Sequence, residues 1–205
     1  LERGAPWSEG GGPTAGGCGS VMRVYPFALM FADDAERAED WAVAHSKLTH
    51  RDPIALAACA AMVHAVRLNL EDASPDQVVT TMARAARKYS PQTADMIERA
   101  VDDAASGIAP EVTLDRLRGW AAHEAIAAAA YVYARQHHDP IAAILEGANT
   151  PGDSDSIATL AGALVGARHG EEGLPADWRR DVERSVELRD LAVECVVTLN
   201  GQPAG

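Results

Sequence analysis

The chain predicts a compact all-α fold of many helices, and three observations carry that prediction. Apolar residues make up 47% of the 205 positions while aromatic residues make up only 5%, so alanine dominates the apolar share. Small side chains at that density suit closely crossing helices better than a pleated sheet. Asp52-Pro53, Ser74-Pro75, Ser90-Pro91 and Asp139-Pro140 each place a capping side chain before a proline, the order that starts a helix. No segment alternates apolar and polar residues as a strand would, and no segment repeats.

Taken in order, residues 1–20 are rich in Gly, Pro and Ser and read as a loop lead-in; residues 21–205 read as a single domain. Asp33 and Asp34 can cap a helix running to about Leu48. Asp52-Pro53 opens an apolar one to about Leu70, Ser74-Pro75-Asp76 starts a third, and Ser90-Pro91 starts a fourth that stops at Ser106-Gly107. A short helix near 111–118 precedes an alanine-rich one from about Trp120 to Gln136. Asp139-Pro140 begins the next, ending before Asn149; another runs from Ser156 to about Arg168, and two shorter ones fill 178–199. Gly162, Gly166 and Gly170, with Ala158 one turn earlier, strip one face of the segment that begins at Ser156. Each helical Gly costs roughly 1 kcal/mol relative to Ala, so close packing around the preceding turn is expected.

The net charge of −12 argues against generic binding to nucleic acid or to an anionic membrane. The longest apolar stretches are broken by His, Arg or Glu, and no signal peptide is visible. Cys18, Cys59 and Cys195 are scattered without CxxC spacing, which fits a reducing cytoplasm rather than a disulfide framework or a zinc site. The chain opens on Leu1-Glu2-Arg3-Gly4 rather than Met and reads as the middle of a longer polypeptide.

The densest chemistry lies in Asn149-Thr150-Pro151-Gly152-Asp153-Ser154-Asp155-Ser156. In an extended turn residues i and i+2 point the same way, so Asp153 and Asp155 can converge, and Ser156 can add a neutral oxygen. Such an all-oxygen set suits Mg²⁺ or Mn²⁺ better than zinc. Asp and Ser are also preferred helix caps, and acidic groups suit a helix N-terminus; from the residues alone both readings stand.

A second constellation, Gly16-Gly17-Cys18-Gly19-Ser20-Val21-Met22-Arg23, can present backbone N–H groups to an anion, although it lacks the spacing and the Lys of a P-loop. Arg23 can equally serve a structural ion pair. His50 lies at a helix junction, where it can cap a helix or touch a ligand. His137-His138-Asp139 reads as solvated surface, and Asp33-Asp34 and Asp102-Asp103 as helix-end charges.

In this order the segments resemble the ADP-ribosylglycohydrolase family. The resemblance is carried by GCGSVMRVYPFAL (17–29), SKLTHRDPIALAACA (46–60), WAAHEAIAAAAYVYAR (120–135) and ANTPGDSDSIATLAGALVGARHG (148–170), with LPADWRRDVE (174–183) trailing. It implies an all-α orthogonal bundle with a binuclear Mg²⁺ centre, Mn²⁺ being an alternative. The activity implied is cleavage of the glycosidic bond that joins ADP-ribose to a protein or small-molecule acceptor. By the same resemblance Asp153, Asp155 and Ser156 stand where metal ligands stand. Gly19 and Ser20 fall in the loop that holds the phosphate and ribose, and His50 stands beside that ligand. An amide-rich loop would let a chain of this charge bind an anion without a basic surface.

The family's early acidic residue and Thr-Asp-Asp motif, with the remaining ligands and the general acid or base, are expected upstream of Leu1. The N-terminal segment of the same protein is thus an expected partner and its helices are missing here. Ala32-Asp33-Asp34 resembles that motif but follows the Gly loop instead of preceding it. Cys18 stands in place of a frequent Asn, and Pro151 in place of a second Gly. Three functional outcomes follow: a metal-dependent ADP-ribosyl-acceptor hydrolase, an inactive ADP-ribose-binding or crystallin-like structural relative, or a chain complete at 205 residues with at most one weakly held ion.

Overall fold

A computed structural model describes residues 6–200; residues 1–5 of the expected lead-in and 201–205 of the expected domain lie outside them. The helices are α1 (Pro26–Met30), α2 (Ala35–Lys47), α3 (Pro53–Leu70), α4 (Pro75–Arg87), α5 (Pro91–Ala105), α6 (Pro110–Arg116), α7 (Ala122–Gln136), α8 (Pro140–Ala148), α9 (Ser154–His169), α10 (Ala176–Asp181) and α11 (Ser185–Asn200). Among the described residues the only extended pairings are two isolated bridges, Gly12 with His50 and Gly17 with Ala121.

The start signals act as their chemistry predicts. Asp34 accepts from Arg37 N, Asp52 from Ile54 N, Ser90 from Thr93 N, and Asp139 from Ile141 N and Ala142 N. Ser74 and Gln77 close a reciprocal capping box. The lead-in is more ordered than a loop: 3₁₀ turns form at Trp7–Glu9 and Cys18–Arg23. The five-residue α1, which begins at Pro26, is too short for periodicity to announce. The last helix is longer than expected, at 16 residues, and exposes Val186, Leu188, Leu191, Val193 and Val197.

Two helices form the centre. α3 packs between α2 and α4, α7 packs on α5 and α8, and α9 lies against both α3 and α7. By length and composition α3 could cross a membrane, yet eleven of its side chains are buried inside the protein. α7 buries Ala122, Ala125 and the run Ala127–Ala130 completely, and the small side chains let its neighbours approach. The phenols of buried Tyr131 and Tyr133 donate to Ile108 O and Asn69 Oδ1, so neither hydroxyl is left unpaired.

Of the small-residue face of α9, Ala158 lies where helices come closest and the glycines do not. A Cβ on Gly166 or Gly170 would meet nothing within 4 Å among the described residues, and one on Gly162 would make ordinary contact with Ile144 at 3.5 Å. The close crossing belongs to Gly147 of α8, where a Cβ would stand 2.8 Å from Ala158 Cα. Asp103 also departs from expectation. It is buried, not a solvated helix-end charge, and accepts from Thr113 Oγ1 at 3.0 Å and from Arg116, tying α6 to α5.

The strongest ionic cluster in the core was not legible as a motif. Glu39 of α2 is buried. Its carboxylate accepts from Lys88 Nζ at 2.8 and 3.1 Å and Tyr89 OH at 2.8 Å, and it meets His64 Nε2 at 2.6 Å. Burial pushes its pKa up, but the bonds from His64, Lys88 and Tyr89 outweigh burial and bring it from 4.5 to about 2. A depressed carboxyl stabilises the fold fully above its unfolded pKa, and that contribution is lost as pH falls from about 4.5 towards 2. The linkage amounts to roughly 3 kcal/mol. Glu39→Gln should therefore cost about that much at pH 7 and flatten the acid limb of the stability curve. Urea unfolding at pH 7 and pH 3 checks this; equal stabilities at pH 7 would mean that desolvation cancels the network.

Candidate metal centre

Four backbone segments converge to build the site, and main-chain hydrogen bonds join them. Cys18 N donates to Trp120 O at 3.2 Å and Ala122 N donates to Gly16 O at 2.8 Å, pinning the Gly loop to the entry of α7. Asp153 N donates to Arg118 O at 2.7 Å, fixing the acidic turn to the same strand-like entry. Gly11 N donates to Lys47 O and Arg51 N to Gly12 O, which fastens the α2–α3 junction.

Two glycines make the second of these joints possible. A Cβ on Gly152 would lie 2.0 Å from Arg118 O, and one on Gly119, which has φ +83°, would lie 2.9 Å from Ile157 and 3.3 Å from Asp153 Cβ. Only glycine fits at 152, and the left-handed backbone at 119 favours it as well.

α9 starts at Ser154, two residues earlier than the sequence indicates, so Asp155 lies in its first turn rather than in an extended one. Asp153 sits at the N-cap position, but its side chain makes no capping bond. Its Oδ2 instead accepts from Ser156 Oγ at 2.8 Å and from Cys18 Sγ at 3.0 Å, with Sγ and Oγ 3.4 Å apart. Asp153 and Cys18 are each 8% exposed and Ser156 1%, whereas Asp155 faces solvent. Burial raises the Asp153 pKa, but interactions with the Cys18, Ser156 and Asp155 side chains more than offset it and leave the carboxyl below its usual range. Cys18 moves up, first because it is buried, and stays a neutral thiol.

Asp153 is thus an ionised, buried carboxylate, and among the described residues no Lys, Arg or His pairs with it. A buried anion without a counter-charge is costly. With Asp155 and Ser156 it offers hard oxygen donors to the missing positive charge, so the donor set fits a divalent cation such as Mg²⁺. It is not a complete shell: among the described residues no three His, Cys, Asp or Glu side chains are grouped to hold an ion.

The expected substrate-side residues lie on the adjoining loop. His50 is half-buried; its ring runs beside Gly17 and Gly19, where a Cβ would stand 3.6 and 3.5 Å from it. Its Nδ1 meets Thr49 Oγ1 at 2.7 Å, and Thr49 Oγ1 in turn accepts from Arg23. Burial, and then the Arg23 charge, lower the His50 pKa, which keeps the ring neutral. Its side chain therefore caps no helix; its backbone N does so, donating to Ser46 O at 2.7 Å. Ser20 turns inward. Its hydroxyl is fully buried, bonded to Ser46 Oγ at 3.0 Å and Cys59 Sγ at 3.5 Å, so only its main chain can face a ligand. His137, His138 and Asp139 do not gather on a metal: His137 O accepts from His169 Nε2, and Asp139 caps α8.

Cys18 joins the two constellations, and sequence reasoning missed it because the thiol stands 135 residues from its partner. Arg118 and Trp120 were missed too, since they contribute carbonyls, which any residue possesses.

Comparison with known proteins bears on the family and the fold. The sequence model of the ADP-ribosylglycohydrolase family matches residues 1–204. ADP-ribosylarginine hydrolase Tri1 of Pseudomonas putida (strain GB-1) is 31% identical over 198 residues, covering 95% of this chain and 49% of that protein. ADP-ribosylhydrolase ARH3 of Danio rerio is 26% identical over 212 residues, covering 89% and 57%. The chain thus spans about half the length of these curated relatives. A solved ADP-ribosylglycohydrolase-related protein complex shares the fold at a TM-score of 0.75 and 22% identity, over 97% of this chain and 66% of that one.

Proposed function

Because the chain belongs to the ADP-ribosylglycohydrolase family, we propose that it supplies part of the metal site of a hydrolase that releases ADP-ribose from a modified acceptor. The observation that carries the proposal is the buried Asp153 carboxylate, which makes no cap and meets no cation among the described residues. Asp153, Asp155 and Ser156 would hold Mg²⁺ or Mn²⁺. Ser156 donates its proton to Asp153, and its oxygen lone pairs remain for the ion. A bound divalent cation supplies a template for ribose hydroxyls, an acidified water and charge stabilisation as the glycosidic bond breaks.

The chain's own residues would orient the ligand. Gly17 and Gly19 leave room along the His50 ring, and a neutral imidazole held at Nδ1 by Thr49 presents Nε2 to a sugar hydroxyl or phosphate oxygen. The main chain of Gly19 and Ser20 would receive the pyrophosphate, consistent with a chain of net charge −12 that cannot attract anions by its surface. An arginine-linked acceptor is the first to assay, given the name of the Pseudomonas relative.

The test is release of ADP-ribose from ADP-ribosylated arginine and serine substrates by the whole protein, with Mg²⁺, with Mn²⁺ and with a chelator. Metal-dependent release is expected. Release undiminished by chelation would sink the metal assignment, and ADP-ribose binding without release from any substrate would identify a binding or structural relative.

A further inference from the structure

We propose that Cys18 is a positioning residue for the metal-binding carboxylate of Asp153: its thiol, together with the Ser156 hydroxyl, occupies Oδ2 and reserves Oδ1 for the cation. The proposal rests on the metal assignment above. Both donors reach the same oxygen, at 3.0 Å from Cys18 Sγ and 2.8 Å from Ser156 Oγ, and no hydrogen bond to Oδ1 forms among the described residues. The carboxylate is not engaged as a helix cap, and among the described residues its side-chain hydrogen bonds come from Cys18 and Ser156.

Cys18 is itself held from behind. Its amide donates to Trp120 O, and the Gly loop carrying it is bridged to Ala121, so the thiol arrives on a fixed backbone. A neutral thiol donates to a carboxylate but is a poor ligand for a hard cation. The arrangement therefore places sulfur behind the ligand rather than on the ion. Outer-shell hydrogen bonds of this kind orient metal ligands, and losing one lowers metal affinity roughly 10–100-fold.

Mn²⁺ affinity of the whole protein, measured by calorimetry or electron paramagnetic resonance, tests this without recourse to turnover. Cys18→Ser keeps a hydroxyl donor and should bind Mn²⁺ close to the parent, with a loss below the roughly 10-fold at which outer-shell losses begin. Cys18→Ala should bind roughly 10–100-fold more weakly, as should Cys18→Val, which fills the space without a donor. A thermal melt identifies any variant that fails to fold, and the remaining donor-less variant then decides. Equal affinity in a folded donor-less variant would overturn the proposal while leaving the metal assignment intact. So would a cobalt–thiolate absorption band in the Co²⁺-loaded parent that vanishes in Cys18→Ser, since sulfur would then be a ligand. A parent protein that binds no Mn²⁺ would overturn both.

Discussion

Asp155→Ala should abolish metal-dependent release of ADP-ribose, lowering turnover on the order of 10³-fold or more, while leaving the fold untouched. The two halves of that expectation come from different facts. Asp155 is exposed on the first turn of α9, so truncating it opens no cavity and leaves no buried partner unpaired. It also stands two residues from Asp153 at the start of α9, where the metal assignment proposed above would have it share the ion. Losing several kcal/mol of transition-state stabilisation from a displaced ion corresponds to about three decades in rate. Steady-state kinetics with Mg²⁺, set beside a thermal melt, checks both halves. A folded Asp155→Ala protein with parental turnover would remove this residue from the metal set.

Gly152→Ala should damage stability and the site together. The added methyl would sit 2.0 Å from Arg118 O and 2.7 Å from Arg118 C, and both are backbone atoms that no rotamer change can move. The same carbonyl accepts from Asp153 N at 2.7 Å, so relief of the clash breaks that bond and displaces the carboxylate. Overpacking and one lost hydrogen bond cost about 2–4 kcal/mol together, or roughly 5–15 °C in Tm for a domain of this size. Gly166→Ala is the matching control. A Cβ there meets nothing within 4 Å among the described residues, and Ala is the better helix former by up to about 1 kcal/mol. Gly166→Ala should melt at or above the parent temperature and Gly152→Ala well below it, with weakened Mn²⁺ binding. A Gly152→Ala protein that melts and binds as the parent does would show that the turn can relax around the methyl.

How much of this was readable beforehand depended on whether an interaction is local. Asp52, Ser74, Ser90 and Asp139 each bond within three residues of themselves, so helix starts could be read from short words of sequence. The acidic turn was legible for the same reason, because Asp153 and Ser156 are neighbours. Its geometry was not: the helix starts at Ser154 because Asp153 takes the N-cap backbone position while its side chain turns to Cys18.

Long-range partners carry no local signature. The thiol of Cys18, the four-membered cluster on Glu39 and the carbonyl of Arg118 depend on segments 25 or more residues apart. The glycines of α9 misled because a small residue permits close approach without requiring it. The requirement fell on Gly147 of α8, opposite Ala158 of that same face.

The main-chain frame of the site also bears on how such a protein can change. Arg118 and Trp120 hold the acidic turn and the Gly loop through their carbonyls alone, while their own side chains are exposed, Trp120 by 65%. Residues at these two positions can therefore be exchanged for others of different size or charge without shifting Asp153 or Cys18. The side chains beside the candidate site can thus change in size and charge while its main-chain frame stays fixed.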